Sequence, residues 1–140
     1  MSTQAQPLAG KRVLIVEDNA LVAKFFRMAL ERAGGCSCEI SEDVPTILER
    51  AASGQIDLVL LDVSLTNSEW EGRATNGVEL CRLIKEKSIR RLPVLLATAH
   101  AMSGDRERLL ESSGADGYLE KPVYDSTLLV EKVRGLIEPA

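Results

Sequence analysis

Gln55-Ile-Asp-Leu-Val-Leu-Leu-Asp62 is the stretch whose reading decides the fold. Between Ile56 and Leu61 it carries apolar residues at every position but one, too few for a helix and enough for a buried strand. A near-continuous apolar run suits the middle of a parallel sheet that is covered by helices on both faces. The run stops at a carboxylate, Asp62. In open α/β sheets, ligands and chemistry gather just beyond the carboxyl ends of the strands. Taken alone, Asp62 reads more readily as an acid that caps a turn; what sits at the other strand ends decides between the two.

Working outward, Val13-Leu14-Ile15-Val16 is a short apolar strand ending in Glu17-Asp18. Asp18 or Asn19 can cap the helix that follows. Val22, Phe25, Phe26, Ala29, Leu30 and Ala33 recur at helical spacing until Gly34-Gly35. Residues 36–41 read as a weaker strand and 44–53 as a helix with Pro45 in its first turn. After Asp62 comes a long polar connection, 63–76. A third helix then spans 77–87, a fourth strand 93–98, a charged helix 104–113, and a short strand 117–120. The last helix is capped by Asp125 or Ser126 and turns Leu129, Val133, Leu136 and Ile137 inward. Five strands alternating with five helices predict a five-stranded parallel sheet with helices on both faces, joined by right-handed connections. Residues 11–138 form one domain on this reading, and residues 1–10 a flexible N-terminal tail.

Composition excludes several classes. A net charge of −4 gives no general attraction to nucleic acid or to an anionic membrane surface. No apolar run approaches the length of a membrane span, and the first residues lack a charged-then-apolar signal pattern. The three cysteines, Cys36, Cys38 and Cys81, fit reduced thiols in a cytoplasmic protein. Cys36-Ser-Cys38 lacks the second pair or histidines that would complete a metal clip.

The strand ends now converge. The first contributes Glu17 and Asp18, the third Asp62, the fourth Thr98 and the fifth Lys121. Neighbouring carboxylates repel, raising the pKa of at least one unless a cation intervenes. Mg2+, with its preference for one or two carboxylates, waters and a phosphate oxygen, resolves that conflict. It leaves an oxygen of Asp62 free as a nucleophile able to form an acyl phosphate. Phosphoryl transfer mainly needs positioning and charge neutralisation, for which Mg2+, Lys121 and the Thr98 hydroxyl are suited. Each residue has a plainer reading: a helix N-terminus for Glu17-Asp18, a strand residue for Thr98, a surface lysine for Lys121. It is their joint occurrence at matching strand ends that favours chemistry.

Over residues 11–137 the chain resembles the receiver domains of two-component response regulators. The matching pieces are Val16-Glu-Asp18, Leu60-Leu-Asp62, Asn76-Gly-Val-Glu-Leu80, Ala97-Thr98-Ala99, Gly114-Ala-Asp-Gly-Tyr118 and Glu120-Lys-Pro122. The resemblance implies a flavodoxin-like (βα)5 fold and two-component phosphorelay signalling. It implies that Asp62 accepts a phosphoryl group from a histidine kinase or a histidine phosphotransfer protein. Mg2+ would be held by Asp18, Asp62 and the backbone carbonyl of Ser64, with Glu17 acting through a bound water. Thr98 and Tyr118 would form a switch pair that repacks a surface read by a downstream protein partner. Lys121-Pro122 often carries a cis peptide in such domains. A receiver of this kind is not a dedicated enzyme, although it assists its own phosphorylation and dephosphorylation. The absence of an output segment after the last helix fits a receiver-only regulator or a domain of a longer protein.

Three other classes fit the sequence less well. A flavin carrier of the same topology would want glycines and backbone donors in the first loop, which here is acidic. An aspartate-nucleophile phosphatase typically shows a second acid two residues on, where this chain has Ser64. A degenerate receiver serving as a phosphorylation-independent binding module is disfavoured because all five acceptor-site positions are filled. The chain departs from the receiver pattern in one place: Gly77 stands about fifteen residues after Asp62 rather than about eight. The insertion at residues 65–75 carries the only tryptophan, Trp70; it either shades the site or is a tolerated surface loop. His100, the only histidine, reads either as a residue governing water access or as an ordinary loop residue.

Overall fold

The computed structural model describes residues 6–63, 69–70, 73–74, 77–98, 105–121 and 125–138. In chain order the elements are β1 (Arg12–Val16), α1 (Ala20–Ala29), β2 (Ser37–Ile40), α2 (Val44–Ser53), β3 (Leu58–Asp62), β4 (Glu69–Trp70), β5 (Arg73–Ala74), α3 (Gly77–Lys87), β6 (Val94–Thr98), α4 (Asp105–Ser113), β7 (Gly117–Glu120) and α5 (Ser126–Ile137). Five strands make one parallel sheet in the order β2-β1-β3-β6-β7. This is the doubly wound arrangement expected, with β3 at its centre.

The apolar run of β3 is continuous because both of its faces are covered. All five residues of the strand are buried. Leu58 and Leu60 join Val13, Ile15, Leu95 and Ala97 in a core closed by Phe26 of α1 and by Leu129 and Val133 of α5. Val59 and Leu61 join Leu14, Val16, Val94 and Leu96 in a second core, closed by Ile47 and Leu48 of α2 and by Leu80 and Ile84 of α3. Burying each such side chain stabilises the fold by about 1.5–3 kcal/mol, so a polar residue on either face of β3 would be costly.

Caps start the helices where the sequence places them. The Asn19 carboxamide accepts from the amides of Leu21 and Val22, which makes Asn19, not Asp18, the cap of α1. Asp43 accepts from both the amide and the hydroxyl of Thr46 at the head of α2. Asp125 caps α5 through the amides of Thr127 and Leu128. Beyond Ala29 the first helix widens into a π-helical turn, Leu30–Gly34, which Gly35 closes at a φ of 79°.

Residues 6–10, part of the stretch read from the sequence as a flexible tail, pack against that turn. Leu8 is buried in the first core, and its amide donates to the carbonyl of Gly34 at 2.7 Å. The physical reason lies in Gly34: a Cβ there would come within 2.8 Å of Leu8 Cδ1. The glycine leaves the space that the leucine fills, and residues 6–10 strap down against the end of α1. Residues 1–5 lie outside the described residues.

The long connection after β3 is not uniformly irregular. Within it β4 and β5 pair antiparallel, with Glu69 opposite Ala74 and Trp70 opposite Arg73, and β4 runs beside α2. The rest of the insertion falls outside the described residues.

Candidate functional site

The sheet register builds the site. Val16 stands opposite Leu61 and Asp62 opposite Ala97, so Glu17, the residue after β1, lies beside Asp62 at the carboxyl edge. Chain direction then reverses at Asp18-Asn19 into α1. Carboxylate oxygens of Glu17, Asp18 and Asp62 all lie within 4.8 Å of one another. Glu17 and Asp62 are buried, each 3% exposed, and Asp18 is the more open of the three.

Lys121 follows β7, and its amide donates to the carbonyl of Thr98 at 2.7 Å, fastening the ends of β7 and β6 together. Its ammonium reaches across to Glu17 Oε1 at 3.0 Å and Asp62 Oδ2 at 3.5 Å. Glu17 Oε2 also accepts from the amide of Asn19 at 3.2 Å. Burial, followed by the hydrogen bond and charge of Asp62, pushes the Glu17 carboxyl up to about 7, despite the opposing pull of Lys121 and Asn19. For Lys121, burial acts to lower the pKa, but the Glu17 hydrogen bond and the charges of Asp62 and Glu17 overcome it and raise it. The cluster is therefore held together by one ammonium that is shared between two buried acids.

Thr98 ends β6 and is 1% exposed. It follows Ala97, the register partner of Asp62, so its hydroxyl belongs to the strand end next to the acid cluster. Tyr118 pairs with Leu96, two residues further down the sheet. It is 7% exposed and lines a cavity of about 370 Å3 with Leu110, Leu119, Glu120, Leu128 and Lys132. Ser64, His100 and Pro122 lie outside the described residues, as does most of the insertion.

Two features of the site were not visible in the sequence. Lys121 makes its shorter contact with Glu17 rather than with Asp62, a pairing between residues 104 apart that no local pattern announces. The second is Gly77. A Cβ on this residue would lie 2.7 Å from the carbonyl oxygens of Asp62 and Val63 and from Val63 Cα. The chain thus returns from the insertion directly onto the backbone that carries Asp62. Since all three contacts are to backbone, Gly77→Ala should destabilise the protein by about 1–3 kcal/mol. A denaturant midpoint that falls by that free energy divided by the slope, with the slope unchanged, is the expected result.

A model of the response regulator receiver domain matches residues 13–134. The chain belongs to the response regulator receiver family. It is 33% identical over 114 residues to the polar-differentiation response regulator DivK of Brucella ovis, an alignment covering 81% of this chain and 85% of DivK. It is also 33% identical over 126 residues to the response regulator ArlR of Staphylococcus saprophyticus, covering 90% of this chain but about half, 52%, of ArlR. Among solved structures it is similar to the receiver domain of the sensor histidine kinase PA1611 of Pseudomonas aeruginosa. That match has a TM-score of 0.75 and 28% identity, and covers 92% of this chain and 98% of that one. The PA1611 receiver was solved with a magnesium ion coordinated in its active-site cleft. Membership puts this receiver in two-component phosphorelay signalling. No helix among the described residues is long and apolar enough to cross a membrane.

Proposed function

We propose that Asp62 accepts a phosphoryl group from a phosphohistidine on a histidine kinase or histidine phosphotransfer protein, next to Mg2+ held by the acid cluster. The observation that carries this reading is the cluster itself: three carboxylates gathered at the end of the central strand, with a lysine reaching two of them. The donors fit a hard divalent ion, because all are oxygens, and burial together with the neighbouring Asp62 already pushes the Glu17 carboxyl up to about 7. Asp18 and Asp62, with the Ser64 carbonyl, would hold the ion, and Glu17 would act through water. When bound, Mg2+ supplies positive charge to the phosphoryl oxygens.

The chain's own groups do the rest. An Asp62 carboxylate oxygen forms the new O–P bond as the P–N bond of the phosphohistidine breaks. The Lys121 ammonium, which reaches Asp62 Oδ2 at 3.5 Å, would neutralise a phosphoryl oxygen, and the Thr98 hydroxyl would donate to another. Drawing Thr98 towards the phosphoryl group frees space for Tyr118, whose ring borders the cavity between α4, β7 and α5. Its rotation would alter the surface a downstream protein reads. The same site assists loss of the phosphoryl group to water, which makes the chain a switch rather than an enzyme with its own substrate.

Incubation with acetyl phosphate, with and without Mg2+, tests this reading by intact mass and peptide mapping. A gain of one phosphoryl group, dependent on the metal and mapping to Asp62, is the expected result. No gain, or a gain mapping elsewhere, overturns it.

Docking of the phosphohistidine protein falls most naturally to the outer face of α1, which starts at the rim of the site. Leu21 is 80% exposed and Met28 37% exposed, with half-buried Phe25 between them. Their spacing of four and then three residues puts them on one stripe. Exposed apolar residues in a row mark a contact surface. Leu21→Asp should therefore slow transfer from the phosphohistidine protein by about tenfold or more, while the rate with acetyl phosphate stays at the parental value.

A further inference from the structure

Cys36 and Cys38 form a thiol pair outside the acid site, and nothing in phosphoryl transfer uses it. They lie on either side of the exposed Ser37 where the chain enters β2, an edge strand of the sheet. Residues two apart on an extended chain point to the same face. Here that face brings the two Sγ atoms to 3.9 Å. Both thiols are free, 5% and 8% exposed, whereas Cys81 is fully buried on the other side of the sheet. Cys36 Sγ also lies 3.5 Å from the carbonyl of Leu30 in the π-helical turn, and the Cys38 amide is held by Glu31.

We propose that Cys36 and Cys38 are a two-electron redox site, closed to an intrachain disulfide by hydrogen peroxide. The Cys36 thiolate attacks one peroxide oxygen. An S–O bond forms, the O–O bond breaks, and the departing hydroxide takes a proton to become water. The Cys38 sulfur then attacks the resulting sulfenic acid as its thiol proton is lost. The S–S bond forms, the S–O bond breaks, and the second hydroxide leaves with that proton as water. Two thiols and one peroxide thus become one disulfide and two waters; both sulfurs are oxidised and both peroxide oxygens reduced.

Roles within the pair follow from its surroundings. The hydrogen bond between the two thiols lowers the Cys36 pKa below the ordinary thiol value, against the effect of burial. The same bond, with burial, raises that of Cys38. Cys36 stands before the ladder that fixes Cys38, so we assign Cys36 the attacking role and Cys38 the resolving one. The Cα atoms of residues two apart on a strand are separated by about 6.6 Å, close to the upper limit of about 6.8 Å for a disulfide. Ring closure must shift the entry to β2, which an edge strand with a single neighbour tolerates. A bridge near its geometric limit is readily reduced again, as a reversible site requires.

The test uses the full chain, reduced, freed of reductant and exposed to peroxide under native conditions. It is then alkylated and read by intact mass and peptide mapping. The expected product has lost two hydrogens, has only Cys81 alkylated, and regains all three alkylation sites after reduction with dithiothreitol. Cys81→Ser should react as the parent does. Cys38→Ser, or Cys38→Ala if the serine protein folds poorly, should lose ring closure and instead leave Cys36 trapped by dimedone. The proposal is overturned by alkylation of all three thiols at the untreated level, by oxygen addition without ring closure in the parent, or by disulfides only between chains.

Discussion

Asp62→Asn should take up no phosphoryl group from acetyl phosphate under conditions in which the parent becomes modified, and should do so without loss of fold. Asparagine matches aspartate in shape, but its amide is not a nucleophile, so the new O–P bond has no partner. The fold should persist because Asp62 is one of the groups that push Glu17 up to about 7, through both its hydrogen bond and its charge. Removing that charge lets the Glu17 carboxyl fall towards its ordinary range, relieving a buried repulsion at neutral pH. We therefore expect a denaturation midpoint at pH 8 equal to or above the parent's, together with weaker Mg2+ binding. Parental levels of phosphorylation in the asparagine protein would mean that the nucleophile is another residue. A lower midpoint would mean that Asp62 is chiefly a partner for Lys121, and the cluster a structural ion network.

The fold was legible because its signals are short-range and repeated. An apolar run such as Leu58–Asp62 announces a doubly covered strand by itself, and the caps at Asn19 and Asp125 mark helix starts within a residue or so. The site was legible at one remove: each reactive residue ends a strand, and a parallel sheet brings strand ends to one edge. What sequence pattern does not carry is lateral contact. Leu8 looked like part of a polar tail because its burial depends on the space left by Gly34, which lies 26 residues away in the chain. Lys121 was legible as a cation at the rim, but its contact with Glu17 depends on the packed sheet, which brings together residues 104 apart in the chain.

The insertion shows the same limit. Counted along the chain, Gly77 is displaced from the position a receiver leads one to expect, and the site could have been remodelled accordingly. In space the glycine meets the backbone of Asp62 and Val63. Val63 and Gly77, the described residues on either side of the connection, lie against each other, and closing a longer loop between such ends costs little entropy. Separation along the chain does not carry how closely the two ends approach.

Lys121→Ala should destabilise the protein by about 3–5 kcal/mol at pH 8, because it leaves a buried carboxylate pair with no cation. The lysine side chain is 15% exposed and those of Glu17 and Asp62 1% and 2%, so water cannot take its place cheaply. The sign of the pH dependence identifies the cause. Glu17 has a folded pKa raised from 4.5 to about 7, so the folded state holds more protons than the unfolded one between those values. Stability from this group is present below about 4.5 and is lost as pH rises through about 7. A shift of that size corresponds to about 3 kcal/mol. Loss of Lys121, which pulls Glu17 downward, should steepen the decline, making the alanine protein's deficit larger at pH 8 than at pH 5.5. Glu17→Gln in the parent should flatten the profile and raise stability at pH 8, at the cost of weaker Mg2+ binding. Combined with Lys121→Ala it should restore most of the lost stability, a coupling that urea titrations of the four proteins would measure directly. Millimolar Mg2+ should likewise stabilise Lys121→Ala more than the parent, since the ion replaces the missing charge. A deficit independent of pH and unchanged by Glu17→Gln would show that the lysine acts through the packing of its stem, and that the acids at this rim do not govern one another.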